Sequence, residues 1–323
     1  PGEIIKGVLE AKDVLDNDDM LILVGDQGVI ESHMSAMKAR ADFISIVHAP
    51  EIIAMDDSPV EAIRGKRKSS IAVMAKMASH NEADAVISAG NTGACVVGCQ
   101  LRMRNLPGVN RPGIAAIFPT FGGPVAVCDV GANVACKPIN LYQYAVMASV
   151  FLTQMNGIEN PRVALMGIGA EAAKGNELVK KTRELILADE RINFIGNIEG
   201  RDLLEGACDV AICEGFVGNI VLKLTEGAVS GLFGAIKKEL MANSLRLAMK
   251  FKPIMTQIYK KYDYHEFGGA LLLGVNGTCV ICHGNSKSRT IKNAIVAAKK
   301  FRSQKTNDKI VEYLESSAVK TNE

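Results

Sequence analysis

The sequence predicts an α/β fold built on a mostly parallel sheet that helices cover on both faces. Short apolar, β-rich runs recur along the 323 residues, most of them end in glycine or small polar residues, and helix-like stretches separate many of them. This alternation is typical of a parallel sheet. A composition of 48% hydrophobic and 22% charged residues is ordinary for a globular chain of one large or two moderate domains.

Nine runs are predicted to form strands. In chain order they are MLILVGD, ISIVHAP, ADAVISAGNTG, GIAAIFP, PVAVCDVGAN, RVALMGIGAE, INFIGNIEG, DVAICEGFVGN and TCVICHGNS. Helices are predicted for SSIAVMAKMAS, NLYQYAVMASVFLTQM and GNELVKKTRELILAD. In such folds ligands bind beyond the carboxyl ends of the strands, where the glycine-rich loops of this sequence fall.

Charge, cysteine content and motifs limit the possible functions. A net charge of +2 gives no support for binding nucleic acid. Eight cysteines scattered through apolar segments are typical of reduced thiols in the cytoplasm. No apolar run reaches the roughly 18 residues of a spanning helix, and no signal of charged residues followed by an apolar stretch is expected from the first residues of the sequence. The P-loop and dinucleotide fingerprints are absent, since the third glycine of GIGAEAAKG is misplaced, and we expect no cofactor.

The loop SAGNTGA follows the apolar run ADAVI and predicts an anion site. Gly90 and Gly93 flank Asn91 and Thr92, so the chain can turn sharply and direct several backbone N–H groups at one spot.

Two further asparagines, Asn133 in VGAN and Asn219 in VGN, also follow strands and lie beside glycine. Their amides can donate to or accept from a ligand, and three such loops at one sheet edge favour a common pocket. For each loop alone, ordinary turn chemistry is the alternative.

Two lysines are candidates for binding phosphate. Lys174 is expected at the start of the helix KGNELVKKTREL, where an ammonium group and a helix N-terminus together favour phosphate. Lys137 in NVACKP has the same interpretation, and for both the alternative is a solvated lysine. Asp129 closes the strand VAVCD and can orient a loop, hold a metal or, most commonly, cap a turn. No cluster of carboxylates completes a metal site, and no metal is predicted.

Two other motifs carry histidine. CVICH (Cys279 to His283) has the form of a haem attachment site, but it is predicted to be a buried strand whose thiols belong to the core. Zinc is disfavoured because no second Cys or His pair stands at ligand spacing. His265 and Glu266 precede two glycines and an apolar run, where they could serve as a general acid or base or simply end a helix.

Residues 230–264 interrupt the α/β pattern with a long helical segment that we expect Pro253 to break. Basic residues alternate there with apolar ones such as Phe251. Between residues 237 and 261 the sequence has one acidic residue, Glu239, and seven basic ones: Lys237, Lys238, Arg246, Lys250, Lys252, Lys260 and Lys261. This pattern resembles an interfacial membrane element or a hairpin that docks an acidic partner. A dimer interface is the alternative.

Eight motifs in register resemble the bacterial phosphate acyltransferase family of the PlsX type. They are SAGNTGA, DVGANV, GIENPRVALMGIG, KGNELV, NFIGNIEGRDLL, GFVGNIVLK, EFGGALLLGVNG and HGNS, and the resemblance covers nearly the whole chain.

The resemblance implies that orthophosphate attacks the thioester of a long-chain acyl-acyl carrier protein, giving acyl phosphate for phospholipid synthesis. It also implies one three-layer α/β/α catalytic domain over residues 1–323, related to phosphate acetyltransferases and isocitrate-type dehydrogenases, a homodimer and peripheral membrane association. Family members usually begin with a strand and a Gly-Gly-Asp-His-Ala-Pro loop, so both are expected upstream of Pro1.

For this reaction we expect no covalent enzyme intermediate, because phosphate is already a nucleophile. We expect Lys174, Lys137 and the loop from Gly90 to Gly93 to bind phosphate. Asn133 and Asn219 would position phosphate or the thioester carbonyl, and His265 with Glu266 would line the acyl end. The alternatives are a short-chain acyltransferase that uses acyl-coenzyme A and a membrane-docking module without enzymatic activity.

Overall fold

The computed structural model describes residues 1–39, 41–262 and 267–317. The helices are α1 (Gly2–Glu10), α2 (Gln27–Ala36), α3 (Pro59–Gly65), α4 (Ser70–Ser79), α5 (Thr92–Met103), α6 (Pro138–Asn156), α7 (Glu177–Leu187), α8 (Gly200–Glu205), α9 (Gly215–Asn243), α10 (Leu245–Tyr262), α11 (Ser288–Ser303) and α12 (Thr306–Glu315), with a 3₁₀ turn at Ala11–Val14. The strands are β1 (Leu21–Gly25), β2 (Ile44–His48), β3 (Ala85–Ser88), β4 (Gly113–Thr120), β5 (Gly123–Cys128), β6 (Val163–Met166), β7 (Phe194–Ile198), β8 (Val210–Ile212), β9 (Ala270–Leu273) and β10 (Thr278–Ile281).

All nine predicted strands and all three predicted helices form, and most strand pairs are parallel, which confirms the mostly parallel α/β fold. The sequence prediction missed β9. Its four residues form a continuous apolar run, which has no alternation to distinguish a buried strand from a helix. Gly268 and Gly269, both with positive φ, precede it.

The chain divides into two compact units. The first comprises Pro1–Pro112, Gln154–Gly157 and Phe267–Ser317, and the second comprises the described residues of Gly113–Thr153 and Ile158–Glu266. The single catalytic domain expected over residues 1–323 stays a prediction.

In the first unit β1 pairs with β2 in parallel, and β10 pairs in parallel with β3 and antiparallel with β9. Because Ile281 of β10 lies opposite Ser88 of β3, the two strands end side by side. The loops that follow them, at residues 88–91 and 282–287, therefore start from the same edge of the sheet.

In the second unit the strand order is β4-β5-β8-β6-β7. Among the strand pairs that the structure describes within this unit, only β4–β5 is antiparallel. The carboxyl ends of β5, β8, β6 and β7 thus lie along one edge, and the loops that carry Asn133, Glu214 and Lys174 follow three of these strands.

Helix α6 accounts for the depth of the core beside this sheet. The helix is apolar on all sides, as expected of a buried helix, and twelve of its residues are buried. Tyr144, Met147 and Leu152 are fully inaccessible to solvent. Each side chain of this size contributes about 1.5–3 kcal/mol when it is removed from water.

The predicted helical excursion forms two helices, α9 and α10, that pack on each other, with the rings of Phe233 and Tyr259 5.3 Å apart edge to face. Pro253 does not break the segment as expected: it lies inside α10, and the break falls at Ser244. Ser244 is extended and its hydroxyl accepts from the N–H of Leu247 at 3.3 Å, so it ends one helix and caps the next.

The α9–α10 hairpin is exposed. No residue of α10 is buried, and in α9 only Gly215 and Gly218 are. From the sequence we expected no helix that could span a membrane. By length and composition alone, α9 is long and apolar enough to do so: its most apolar stretch of 18 residues has a mean hydropathy of 1.2, and 6% of that stretch is buried. Lys223 and Glu226 interrupt its apolar run in the sequence, but on the helix they form an ion pair at 2.9 Å.

Candidate active site

The loop after β3 closes around the side chain of Asn91. This side chain is buried and caps α5, because its Oδ1 accepts from the N–H of Ala94 at 2.9 Å. Its Nδ2 donates to the carbonyl oxygens of Ala54, Met55 and Asp57 at 3.1, 3.2 and 3.2 Å. The Asn91 amide therefore holds the loop in place through bonds within the protein.

The N-terminus of α5 has backbone donors that the protein does not use. The N–H groups of Thr92 and Gly93 have no acceptor among the described residues, and both residues are partly exposed. Position 93 requires glycine, because a Cβ there would lie 2.6 Å from Cγ of Pro59. Two unused N–H groups at the positive end of a 12-residue helix suit an anion.

The HGNS motif lies beside this loop. The N–H of Cys282 donates to the carbonyl of Ser88 at 2.7 Å, and a Cβ on Gly284 would lie 3.8 Å from the carbonyl oxygen of Ala89. The hydroxyl of Ser286 is buried and has no partner among the described residues. The motif adds polar groups to the same edge of the first unit.

Asp129 organises the loop after β5 in the second unit. Its fully buried carboxylate accepts four backbone N–H bonds, from Ile114, Gly131 and Ala132 at 2.9–3.0 Å and from Asn133 at 2.7 Å. Burial raises the pKa of Asp129 above its ordinary value, although the N–H donors stabilise the charged form. The capping role expected for Asp129 is the one the structure gives it.

Asn133 is fixed by a buried tyrosine. Its Nδ2 donates to the hydroxyl oxygen of Tyr144 at 2.8 Å, and its backbone carbonyl accepts from the N–H of Gly215 at 2.8 Å. Burial, followed by the nearby Asp129 charge, raises the pKa of Tyr144 far above its usual range, so the hydroxyl stays protonated at physiological pH. Asn133 therefore has a defined orientation.

Helix α9 begins with an acidic cap. The carboxylate of Glu214 accepts from the N–H groups of Phe216 at 2.6 Å and Val217 at 3.2 Å. A carboxylate of the protein thus already occupies this helix end, which makes it a poor site for a second anion.

The first turns of α9 pack directly on the Asp129 loop. A Cβ on Gly218 would overlap the carbonyl oxygen of Asp129, so only glycine permits this approach. A Cβ on Gly131 would lie 3.8 Å from the side chain of Asn219, which is exposed. We expected Asn219 in a loop after a strand, but it lies within α9, because the helix begins at Gly215.

Lys174 is not at the start of a helix as expected. Helix α7 begins at Glu177, and its cap is Asn176, whose side chain accepts from the N–H of Val179 at 2.9 Å. Lys174 is exposed in the preceding loop, where its N–H donates to the carbonyl of Glu171 at 3.0 Å. The asparagine sets the helix boundary because it is the better capping residue.

The Lys174 loop folds over Gly169 and is held at β7. A Cβ on Gly169 would lie 2.7 Å from a carboxylate oxygen of Glu171 and 3.0 Å from Cγ of Lys174. Asn197 donates from Nδ2 to the carbonyl of Glu171 at 3.2 Å, while its Oδ1 is buried without a partner in the described part of the chain. The stem of Lys174 therefore has a defined place beside the strand ends.

The structure brings some of the predicted residues together. In the second unit Asn133 and Asn219 flank the Asp129 loop, and Lys137 is exposed just before α6, with its N–H bonded to Oδ1 of Asn140 at 2.8 Å. The Gly90–Gly93 loop belongs to the first unit. His265 and Glu266 lie outside the described residues.

Sequence reasoning missed two residues of this site. The helix cap at Glu214 could have been predicted, because this residue stands directly before the glycine of CEGFVGN at which a helix starts. Tyr144 had none, since its contact with Asn133 spans eleven residues and depends on how α6 packs.

The chain resembles known proteins over nearly its whole length. It matches the family model described as fatty acid synthesis protein over residues 1–309. It is 45% identical to the phosphate acyltransferase of Halothermothrix orenii, covering 93% of this chain and 90% of the relative. It is 43% identical to that of Desulforamulus reducens, covering 98% and 94%. A phosphotransacetylase from Streptococcus pyogenes shares the fold, with a TM-score of 0.64, 14% identity and coverage of 93% and 91%.

Proposed function

Since this chain belongs to the fatty acid synthesis protein family, we propose that it is a phosphate acyltransferase that transfers the acyl group of a long-chain acyl-acyl carrier protein to orthophosphate. The observation that carries this proposal is the 43–45% identity, over 93–98% of the chain, to relatives named phosphate acyltransferase. The acyl phosphate would serve phospholipid synthesis in the cytoplasm.

The reaction needs positioning rather than a covalent intermediate. An oxygen of hydrogen phosphate attacks the thioester carbon, a carbon–oxygen bond forms, and the carbon–sulfur bond breaks. The proton of hydrogen phosphate ends on the leaving sulfur, so the carrier protein is released as its thiol. The enzyme must hold two reactants and stabilise the oxyanion that forms on the carbonyl. No nucleotide or redox partner enters this balance.

Phosphate binds at the N-terminus of α5 in this proposal. The unused N–H groups of Thr92 and Gly93 support it, and the glycine at position 93 lets this turn pack against Pro59. Asn91 supports the site indirectly by fixing the loop. Gly90 lets the loop pack against Ile71, because a Cβ there would lie 3.2 Å from Cδ1 of Ile71.

The Asp129 loop suits the thioester carbonyl better than phosphate. Its backbone N–H groups are bonded to a carboxylate, and Glu214 adds a second negative charge at the start of α9. A neutral carbonyl tolerates this setting, and the single charge of the oxyanion is repelled less than the two charges of a phosphate dianion. The Asn219 amide is the exposed donor for the oxyanion, and Asn133 positions the reacting group beside it.

Lys174 and Lys137 supply positive charge for an anionic substrate, and their exposure supports this role. His265 and Glu266 keep their proposed place at the acyl end.

The activity is tested by phosphate-dependent release of thiol from long-chain acyl-acyl carrier protein, with acetyl-coenzyme A as the comparison substrate. We expect release from the carrier-protein thioester only. Release from acetyl-coenzyme A alone would favour the short-chain alternative. Release from neither would leave the membrane-docking alternative.

Lys174→Ala tests the cationic role. We expect kcat/KM for phosphate to fall about 10-fold or more, because the positive charge that Lys174 supplies to the anionic substrate is lost. Folding should be unchanged, since Lys174 is exposed. The matched control is Lys180→Ala, an exposed lysine on α7. Equal phosphate dependence in both variants would remove Lys174 from the site.

The α9–α10 hairpin associates peripherally with an anionic membrane surface in this proposal. Its exposed apolar residues, among them Met249 and Phe251, lie among Lys237, Arg246, Lys250 and Lys252. Lys250→Ala should weaken binding to phosphatidylglycerol vesicles about fivefold, as expected for one basic residue at such a surface, whereas Lys180→Ala should not. Binding to the acidic carrier protein instead of vesicles would mean that the hairpin docks a protein.

We also propose a homodimer. The amount of exposed apolar surface on the hairpin supports an interface as an additional use of it. Light scattering at several protein concentrations tests the mass, and a monomer at all concentrations would contradict this proposal.

A further inference from the structure

Three thiols from distant positions in the sequence meet inside the first unit. Cys95 and Cys99 are four residues apart on α5 and share one helix face, and Cys279 lies on β10. The Sγ atom of Cys279 is 3.8 Å from that of Cys95 and 3.5 Å from that of Cys99, and the three sulfur atoms lie within 4.8 Å of one another. None of the three side chains is more than 1% exposed, and all are free thiols.

These separations fit three sulfur ligands on one central atom. Bonds of about 2.3 Å at angles of about 90–120° place neighbouring sulfur atoms about 3.3–4.0 Å apart. Two of the three separations already lie in this range. The next thiol along the chain, that of Cys282, instead contacts the carbonyl oxygen of Gly268 at 3.9 Å, so the cluster offers three ligands rather than four.

The electrostatic surroundings decide which central atom is suitable. Cys95 and Cys279 both lie in the interior, with 0% and 1% of their surface exposed. The neighbours that interact electrostatically with these two thiols are the other thiols of the cluster and, for Cys95, the hydroxyl of Ser88. None of these neighbours is cationic. A net charge left in this cluster would therefore be buried without a partner, which is costly.

Charge balance favours a trivalent atom. Three thiolates leave one negative charge around Zn²⁺ and two around Cu⁺, but they neutralise a trivalent centre. From the geometry and the burial we infer that Cys95, Cys99 and Cys279 form a binding site for a trivalent thiophilic metalloid of the arsenite class.

The binding step balances without an oxidant or a reductant. Arsenous acid, As(OH)₃, reacts with three S–H groups: three As–O bonds break, three As–S bonds form, and each thiol proton leaves with a hydroxide as water. The product is neutral and uses all three ligands. Cys95 and Cys99 lie on the helix whose N-terminus is proposed to bind phosphate, but the metalloid step uses none of the groups of the acyltransferase reaction, so it can be tested by binding alone.

The experiment uses the full chain, reduced with a phosphine rather than a thiol. The protein is incubated with arsenite, both in the folded state and during refolding, then desalted, and arsenic per chain is measured by elemental mass spectrometry. We expect one arsenic per chain in the wild type and affinity weaker by at least about 100-fold in Cys279→Ala. Cys282→Ala is the matched control, because this thiol is equally buried and lies outside the cluster. It should bind like the wild type.

Thermal unfolding shows which variants fold. If Cys279→Ala does not fold, Cys99→Ala is used in its place, because it also removes one of the three thiols. The inference is overturned if the wild type retains no arsenic under either condition, or if the folded Cys279→Ala or Cys99→Ala variant retains as much as Cys282→Ala. Competition with Zn²⁺ tests the charge argument separately: arsenite should displace zinc, and zinc binding that resists arsenite would contradict the choice of a trivalent centre.

Discussion

The loop around Asn91 and the loop around Asp129 contain similar residues but use them in opposite ways. Both follow a strand and combine glycine with asparagine. In the Asn91 loop an amide makes the internal bonds, and backbone N–H groups are left at a helix end. In the Asp129 loop a buried carboxylate takes the backbone N–H groups, and the exposed polar group beside it is the Asn219 amide.

This difference shows that a glycine–asparagine motif does not set the chemistry of a loop by itself. The group that is buried decides which group remains for a ligand. Unused N–H groups at a helix end suit phosphate, and an amide near a buried carboxylate suits a neutral carbonyl. Four substitutions test this comparison, two at the Asp129 loop and two at the Asn91 loop.

The largest effect is expected for Asp129→Asn. The amide nitrogen cannot accept a hydrogen bond, so at least one of the four N–H donors is left buried without a partner, and the remaining bonds lose their charged acceptor. We expect the free energy of unfolding to fall by about 3–5 kcal/mol. Urea unfolding followed by circular dichroism measures it.

The control for this variant is Asp26→Asn. Asp26 caps α2 through one N–H, and asparagine caps a helix about as well as aspartate, so little change is expected. If both substitutions have equally small effects, the carboxylate does not hold the Asp129 loop together.

The next largest effect is expected when the packing of α9 on the Asp129 loop is disturbed. Gly218→Ala places a methyl group on the Asp129 carbonyl oxygen and should cost about 1–3 kcal/mol through overpacking. Gly227→Ala is the matched control on the same helix. A Cβ there has no neighbour within 4 Å, so alanine should stabilise the helix by up to about 1 kcal/mol. Effects of the same sign in both variants would contradict the contact between α9 and the loop.

Asn91→Ala tests the other half of the comparison. It removes a helix cap and the one amide donor that contacts three carbonyl oxygens of the 54–57 segment, and we expect a loss of about 2 kcal/mol in unfolding free energy together with a higher KM for phosphate. Asn176→Ala removes only the cap of α7 and should cost about 1 kcal/mol. If the two losses are equal, the carbonyl contacts of Asn91 contribute nothing.

Most of the fold could be predicted because the strands are short apolar runs that end in glycine. Strand β9 could not, since ALLL has no period that separates strand from helix. The break between α9 and α10 fell at Ser244 rather than Pro253, because a capping serine ends and restarts a helix while the proline is accommodated inside α10.

The candidate site was predictable only in part. Local signals placed Asp129 directly after a strand and Gly93 in the turn that follows another. The bond from Asn133 to Tyr144 and the three bonds from Asn91 to residues 54–57 join distant parts of the chain, and no local pattern encodes them. Whether an asparagine faces a ligand or the protein interior depends on such contacts.

The smallest expected effect is a difference in how the two loops respond to acid. The hydrogen bond from Lys66, followed by that from the N–H of Ala54, lowers the pKa of Asp57 below 3.8. The stabilisation it provides is present above the unfolded pKa of about 3.9 and is lost as the pH falls through the folded pKa. The pKa of Asp129 is raised, so its charged form carries a cost that is relieved as the pH falls through its folded pKa.

Lys66→Ala separates these two contributions. Without Lys66 the pKa of Asp57 should return toward its ordinary value, so the stability difference between wild type and variant should be greatest above about pH 4 and shrink in more acidic solution. Urea unfolding at a series of pH values measures this difference. A difference that stays constant with pH would mean that Lys66 stabilises the 54–57 segment by packing rather than through the Asp57 carboxylate. The contrast between the Asn91 loop and the Asp129 loop would then rest on hydrogen bonding alone.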